Sequence, residues 1–84
     1  MTRDCPFANS HEALAALSSW GNRQYGRYFE IKHANPEPPD ETEHRWTIRL
    51  EYEPASWSNE VEGVTFFRDA VAHALKDARE AGYP

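Results

Sequence analysis

Histidines, one cysteine and a set of alternating glutamates are the side chains in this 84-residue sequence with chemistry to offer. His33 and His44 flank a segment, 34–43, that also carries Asp40, Glu41 and Glu43. Two imidazole nitrogens with a carboxylate oxygen form a donor set that suits zinc or nickel. The plainer role for the two rings is to cap the end of a sheet. His11 falls in the first turn of a helical pattern and His73 sits among Ala72, Ala74 and Leu75, neither with an evident partner. Glu51, Glu53, Glu60 and Glu62 could pair as general acid and base, whereas alternate acids on a strand usually form its solvated face. Cys5, in Asp4-Cys5-Pro6, would need an aligned histidine and an orienting group to act as a nucleophile. A free thiol is the simpler reading. Glycines 21, 26, 63 and 82 are isolated, so no phosphate-cradling loop is expected.

The elements that would position these groups follow from hydropathic period. Asn9 with Glu12 three residues on has the form of a capping box, and Phe7 can staple onto the first turn. Ala13, Leu14, Leu17 and Trp20 recur at helical spacing, and Gly21-Asn22 supplies a left-handed stop, giving a first helix over about 10–20. Runs 25–33 and 44–53 alternate. In the second, Trp46, Ile48, Leu50 and Tyr52 point one way while Arg45, Thr47, Arg49, Glu51 and Glu53 point the other. Pairing His33 with His44 sets Ile31 opposite Trp46, Phe29 opposite Ile48 and Tyr25 opposite Tyr52 on the core face. It sets Tyr28 opposite Arg49 outside. Residues 34–43 hold three prolines and four acids and read as a solvated hairpin loop. Pro54 ends the second strand, and weak alternation over 55–63 leaves a short third strand or a loop open. A last helix runs from Val64 or Thr65 to about Ala81, capped by Thr65, with Phe67, Val71, Ala74, Leu75 and Ala78 as its apolar stripe and Gly82 as its stop. The fold class expected is a two-layer α+β domain, α-β-β-(β)-α. An antiparallel sheet of two to three strands has both helices on one face. Residues 1–84 make one domain, with 1–8 as an N-terminal arm.

Tyr28-Phe-Glu-Ile, Trp46-Thr-Ile-Arg-Leu and the helix over 64–78, in this order after a first helix, resemble the double-stranded-RNA-binding domain over about residues 9–81. The resemblance implies an α-β-β-β-α fold and phosphate contacts from a basic cluster at the start of the last helix. At that point this sequence has Phe66, Phe67 and a single cation, Arg68, and its inter-strand loop is acidic. The topology is therefore carried over and the RNA contacts are not.

Composition narrows the function classes. Leu, Ile, Val and Phe make up about 15% of the chain, under the ~20% below which disorder is a concern, but three Trp and four Tyr add bulk to bury. No apolar run spans a membrane and no leader is evident, so a cytoplasmic location is expected. One cysteine excludes an internal disulfide framework. The net charge of -5 is uneven: residues 34–43 carry -4 and 54–64 carry -2. Cations are scattered, where a duplex binder needs a basic face. What remains is contact: Tyr28 and Arg49 as a stacked pair on the outer sheet face, Trp57, Tyr83 and Phe66 outside the clearest core pattern, and acids at Asp40, Glu41, Glu43, Glu60 and Glu62. The expectation is a non-enzymatic protein-protein interaction module without a cofactor. It would regulate or inhibit a larger complex through a basic nucleic-acid-binding surface, as virus-encoded anti-defence proteins such as anti-CRISPRs do. A homodimer through an open sheet edge or the outer face is a further expectation. The alternatives are a nucleic-acid-binding domain and a metal-binding protein using His33 and His44.

Overall fold

Asn9 starts the first helix as its sequence implies. A computed structural model of the chain describes residues 6–34 and 45–84, and in it Asn9 is extended and its Oδ1 accepts the Glu12 N–H at 2.9 Å. Glu12 Oε1 in turn accepts the Ala8 N–H at 3.0 Å, so two otherwise orphan donors are satisfied. Helix α1 spans Ser10–Arg23 and runs through Gly21-Asn22, where a stop was expected. Gly21 answers a different need: a Cβ there would lie 3.2 Å from the Phe29 ring, so the glycine lets the first strand approach. The chain turns instead at Gly26, whose φ of 91° favours glycine and whose Cβ would stand 2.7 Å from the Pro54 ring.

Strands β1 (Arg27–Ala34), β2 (Arg45–Tyr52) and β3 (Trp57–Val64) form an antiparallel sheet in the order β1-β2-β3. The undecided 55–63 stretch is thus mostly strand, entered through a 3₁₀ turn at Glu53–Ala55 and a left-handed Ser56. The β1–β2 register differs from expectation by two residues. Ile31 faces Ile48, Phe29 faces Leu50, Arg27 faces Tyr52 and His33 faces Trp46. A two-residue shift keeps every side chain on its expected face and changes only its neighbour, so alternation alone cannot choose between the registers. Tyr25, expected opposite Tyr52, precedes the strand and is 96% exposed. Between Ile48–Val61 and Trp46–Val64 the third strand carries one extra residue, a bulge with Gly63 at φ 74°.

Helix α2 spans Phe67–Glu80. Phe66 occupies its N-cap position with no side-chain cap, so Thr65 does not play the part assigned to it. At the other end the Tyr83 N–H reaches the Ala78 carbonyl (2.8 Å) and the Gly82 N–H reaches that of Arg79 (3.0 Å), with Gly82 at φ 98°. This is a Schellman cap, and it throws Tyr83 back toward the sheet.

Both helices cover one sheet face. Ala13, Leu17 and Trp20 of α1 meet Ile48 and Leu50 of β2, Val61 of β3, and Ala70, Val71, Ala74 and Ala78 of α2. Each large aliphatic buried there contributes ~1.5–3 kcal/mol. Four alanines let the helices lie close to each other and to the sheet. Leu14, expected in the stripe, is 43% exposed on the flank of α1. The order α-β-β-β-α is the one the double-stranded-RNA-binding resemblance implies, and no helix among the described residues is long and apolar enough to cross a membrane.

Candidate functional site

Among the described residues no helix or strand covers the sheet face away from the helices, and alternation brings four of the expected contact residues onto it. Tyr28 of β1, Arg49 of β2, and Glu60 and Glu62 of β3 all project there. Arg49 is central: Glu30 stands opposite on β1 and Glu60 opposite on β3, and its Nη2 lies 2.8 Å from Glu51 Oε2 on its own strand. Tyr28 stands opposite Glu51, so the expected direct pairing of Tyr28 with Arg49 is replaced by one register step. The two side chains still line one hollow of about 360 Å³ together with Glu30 and Glu51. A second hollow, about 280 Å³, shares Tyr28 and Glu51 with the first and reaches Ser56 and Trp57 at the β2–β3 turn. The Arg49–Glu51 pair is more than two-fifths exposed on both sides, so its worth to stability is at most about 1 kcal/mol and it remains available to exchange partners.

Trp57 arrives there from the opposite face. It pairs with Tyr52 across the strands, is half-buried, and its ring lies 5.0 Å from that of Tyr83. Trp57 therefore serves the core and borders the outer hollow at once. Phe66 is 52% exposed ahead of α2. Asp40, Glu41, Glu43 and His44 lie outside the described residues. His33 stacks on Trp46 at 4.1 Å, the partner its register gives it. Among the described residues no group of three or more His, Cys, Asp or Glu could hold a metal ion.

One cluster has no counterpart in the sequence expectations. Arg27 is 8% exposed, on the core side of β1. Its guanidinium lies 4.7 Å from the centroid of the Trp20 ring and 5.5 Å from that of Tyr52. Nη1 donates to the main-chain oxygens of Trp20 (3.3 Å) and Pro84 (2.9 Å). The Trp20 indole N–H donates to the Tyr83 carbonyl at 2.9 Å, and the Tyr83 ring rests 5.1 Å from that of Tyr52. The alternation that places Phe29 and Ile31 inward also places Arg27 there, and this was the available signal.

The start of α2, where the resemblance puts phosphate-binding cations, is engaged otherwise. Arg68 Nη1 donates to the Ala8 carbonyl at 2.6 Å and ties the helix to the chain before α1. Asp69 adds an acid to the first turn. No protein-family model, curated protein or solved structure matches this chain.

Proposed function

We propose that the chain is a small acidic protein-binding module, a regulator or inhibitor of a larger complex, that works through the open face of its sheet. The observation that carries this reading is the convergence of Tyr28, Arg49, Glu51 and Trp57 on two adjoining hollows, with Glu60 on the neighbouring strand. An exposed tyrosine supplies contact area at low entropic cost, and an arginine paired with an exposed carboxylate can re-pair across an interface. Glu30, Glu51, Glu60 and Glu62 outnumber Lys32, Arg45 and Arg49 on this face by one, and Glu60 and Glu62 bias its β3 side toward Arg or Lys on the partner, which is the chemistry of a basic nucleic-acid-binding surface. In this reading the acids of 34–43 extend the same bias.

The test is capture from a lysate of the source organism after nuclease treatment, with bound protein, nucleic acid and metal assayed on the same eluate. One stoichiometric protein partner is expected. Tyr28→Ala, and Glu60→Lys combined with Glu62→Lys, should each lose it, while His73→Ala on the exposed side of α2 should keep it. Capture indifferent to all the sheet-face variants would remove the face from the account. Recovery of nucleic acid alone, stripped by moderate salt, would replace the protein-binding reading with the RNA-binding one.

A further inference from the structure

Strand β1 is an edge: it pairs with β2 on one side, and among the described residues no strand pairs with it on the other. The Glu53 N–H donates to the Gly26 carbonyl at 2.9 Å, in the register that continues to Arg27–Tyr52. Antiparallel ladders alternate, so Gly26, Tyr28, Glu30 and Lys32 aim their backbone groups at β2, while Phe29 and Ile31 aim theirs outward. The edge is eight residues long, has no proline, and pairs with β2 without a bulge. These are the properties of a strand that accepts another. The opposite edge differs, because β3 is broken by the bulge at Gly63 and its charges, Glu60 and Glu62, are of one sign, whereas Glu30 and Lys32 of β1 are of opposite sign.

Exposed apolar surface follows the same edge. Phe29 of β1 is inward-pointing but 36% exposed, and Leu14 of α1 is 43% exposed. With Ile31, Trp46 and Phe67, Leu14 lines an apolar groove of about 330 Å³ between the helices and β1. The helical layer is too narrow to cover the β1 side of the sheet.

We propose that β1 pairs antiparallel with β1 of a second copy about a two-fold axis at Ile31, joining two three-stranded sheets into one of six strands. The strand's own charges select this register. A two-fold axis at any residue keeps inward side chains with inward ones. At Glu30 the axis sets Glu30 against Glu30, and at Lys32 it sets Lys32 against Lys32. At Phe29 it forms no pair of opposite charge. At Ile31 each Glu30 meets a Lys32 of the other copy, twice by symmetry, and both residues are exposed on the outer face. On the inner face Ile31 meets Ile31, which continues the apolar row of Phe29 and Ile31 across the axis. A second copy, more than a foreign strand, fits an edge whose charges complement themselves. The pairing is independent of the partner-binding reading, and it would present Tyr28 and Arg49 twice on one continuous face.

Sedimentation equilibrium of the full chain over a range of concentrations tests it. The expected result is a reversible association to twice the 9.7 kDa chain mass. Glu30→Lys alone and Lys32→Glu alone each turn two attractive pairs into repulsive ones and should weaken association about tenfold. The double exchange, Glu30→Lys with Lys32→Glu, should restore it. Neither residue is in the core, and unchanged far-ultraviolet circular dichroism, with unchanged melting at concentrations low enough that the parent chain is monomeric, would verify that each variant folds. A chain that stays monomeric at every concentration overturns the proposal. So does a dimer indifferent to the single reversals, or one that the double exchange fails to restore.

Discussion

The two ends of the helical layer solve the same problem in opposite ways. At the end near Gly26 the space between α1, the sheet and the tail of α2 is closed: the Arg27 guanidinium lies over the rings of Trp20 and Tyr52, Tyr83 is folded back by a Schellman cap, and main-chain oxygens of Trp20 and Pro84 accept hydrogen bonds from the guanidinium. At the end near Trp46, the same two helices leave a groove lined by Leu14, Ile31, Trp46 and Phe67. The ten buried hydrophobic residues among those described do not fill both ends, and the end near Gly26 is completed with a long cationic side chain and four rings doing what aliphatic bulk does in a larger domain. One end is thus packed with rings around Arg27, and the other leaves Leu14 exposed at the rim of its groove.

Substitutions at the closed end should be the most damaging. Trp20→Ala removes a ring that is 3% exposed, along with its indole N–H bond to Tyr83. It should cost ~4 kcal/mol by chemical denaturation, a large part of what a chain of this size has. Arg27→Ala comes next, at about 2–3 kcal/mol, because two hydrogen bonds and two ring contacts are lost together. That cost is moderated because Arg27 Nε is buried without a partner, so part of the charge's desolvation is uncompensated already. Tyr83→Ala, which removes the tilted ring contacts to Tyr52 and Trp57 but leaves the cap's backbone bonds in place, should cost about 1–2 kcal/mol. If Arg27→Ala proved neutral, the closed end would owe its order to the rings alone.

The contrast also explains what could be read from the sequence. The layers, the strand faces and most of the core are legible, because Trp46, Ile48, Leu50 and Tyr52 alternate without interruption and Phe67, Val71, Ala74 and Ala78 keep helical spacing. That Tyr28, Arg49, Glu60 and Glu62 share a face follows from the same parity. The register is not legible, since a two-residue shift leaves every face unchanged. Gly21 reads as a stop because its reason, the Phe29 ring, lies on another element. Arg27 is passed over because a cation at an inward position contradicts the pattern unless the rings and carbonyls that receive it are known. Leu14 reads as core because helical spacing marks a stripe without saying how wide a layer the neighbouring elements can cover.

The smallest expected effect is the sharpest test of the comparison. Leu14→Lys puts a charge at the rim of the open groove, on a side chain that is already 43% exposed. The position lies inside α1, where lysine is as good a helix former as leucine. The stem of the lysine can lie along Ile31 and Trp46 while its ammonium stays in water. The unfolding free energy should therefore change by less than about 0.5 kcal/mol, roughly an eighth of the Trp20→Ala loss although both replace a large apolar residue of one helix. A Leu14→Lys loss comparable to that at Trp20 would mean that the groove is filled in solution and that the two ends are alike. A negligible loss, with melting unchanged, would leave the contrast intact and identify the groove as surface that the fold does not need for its own stability.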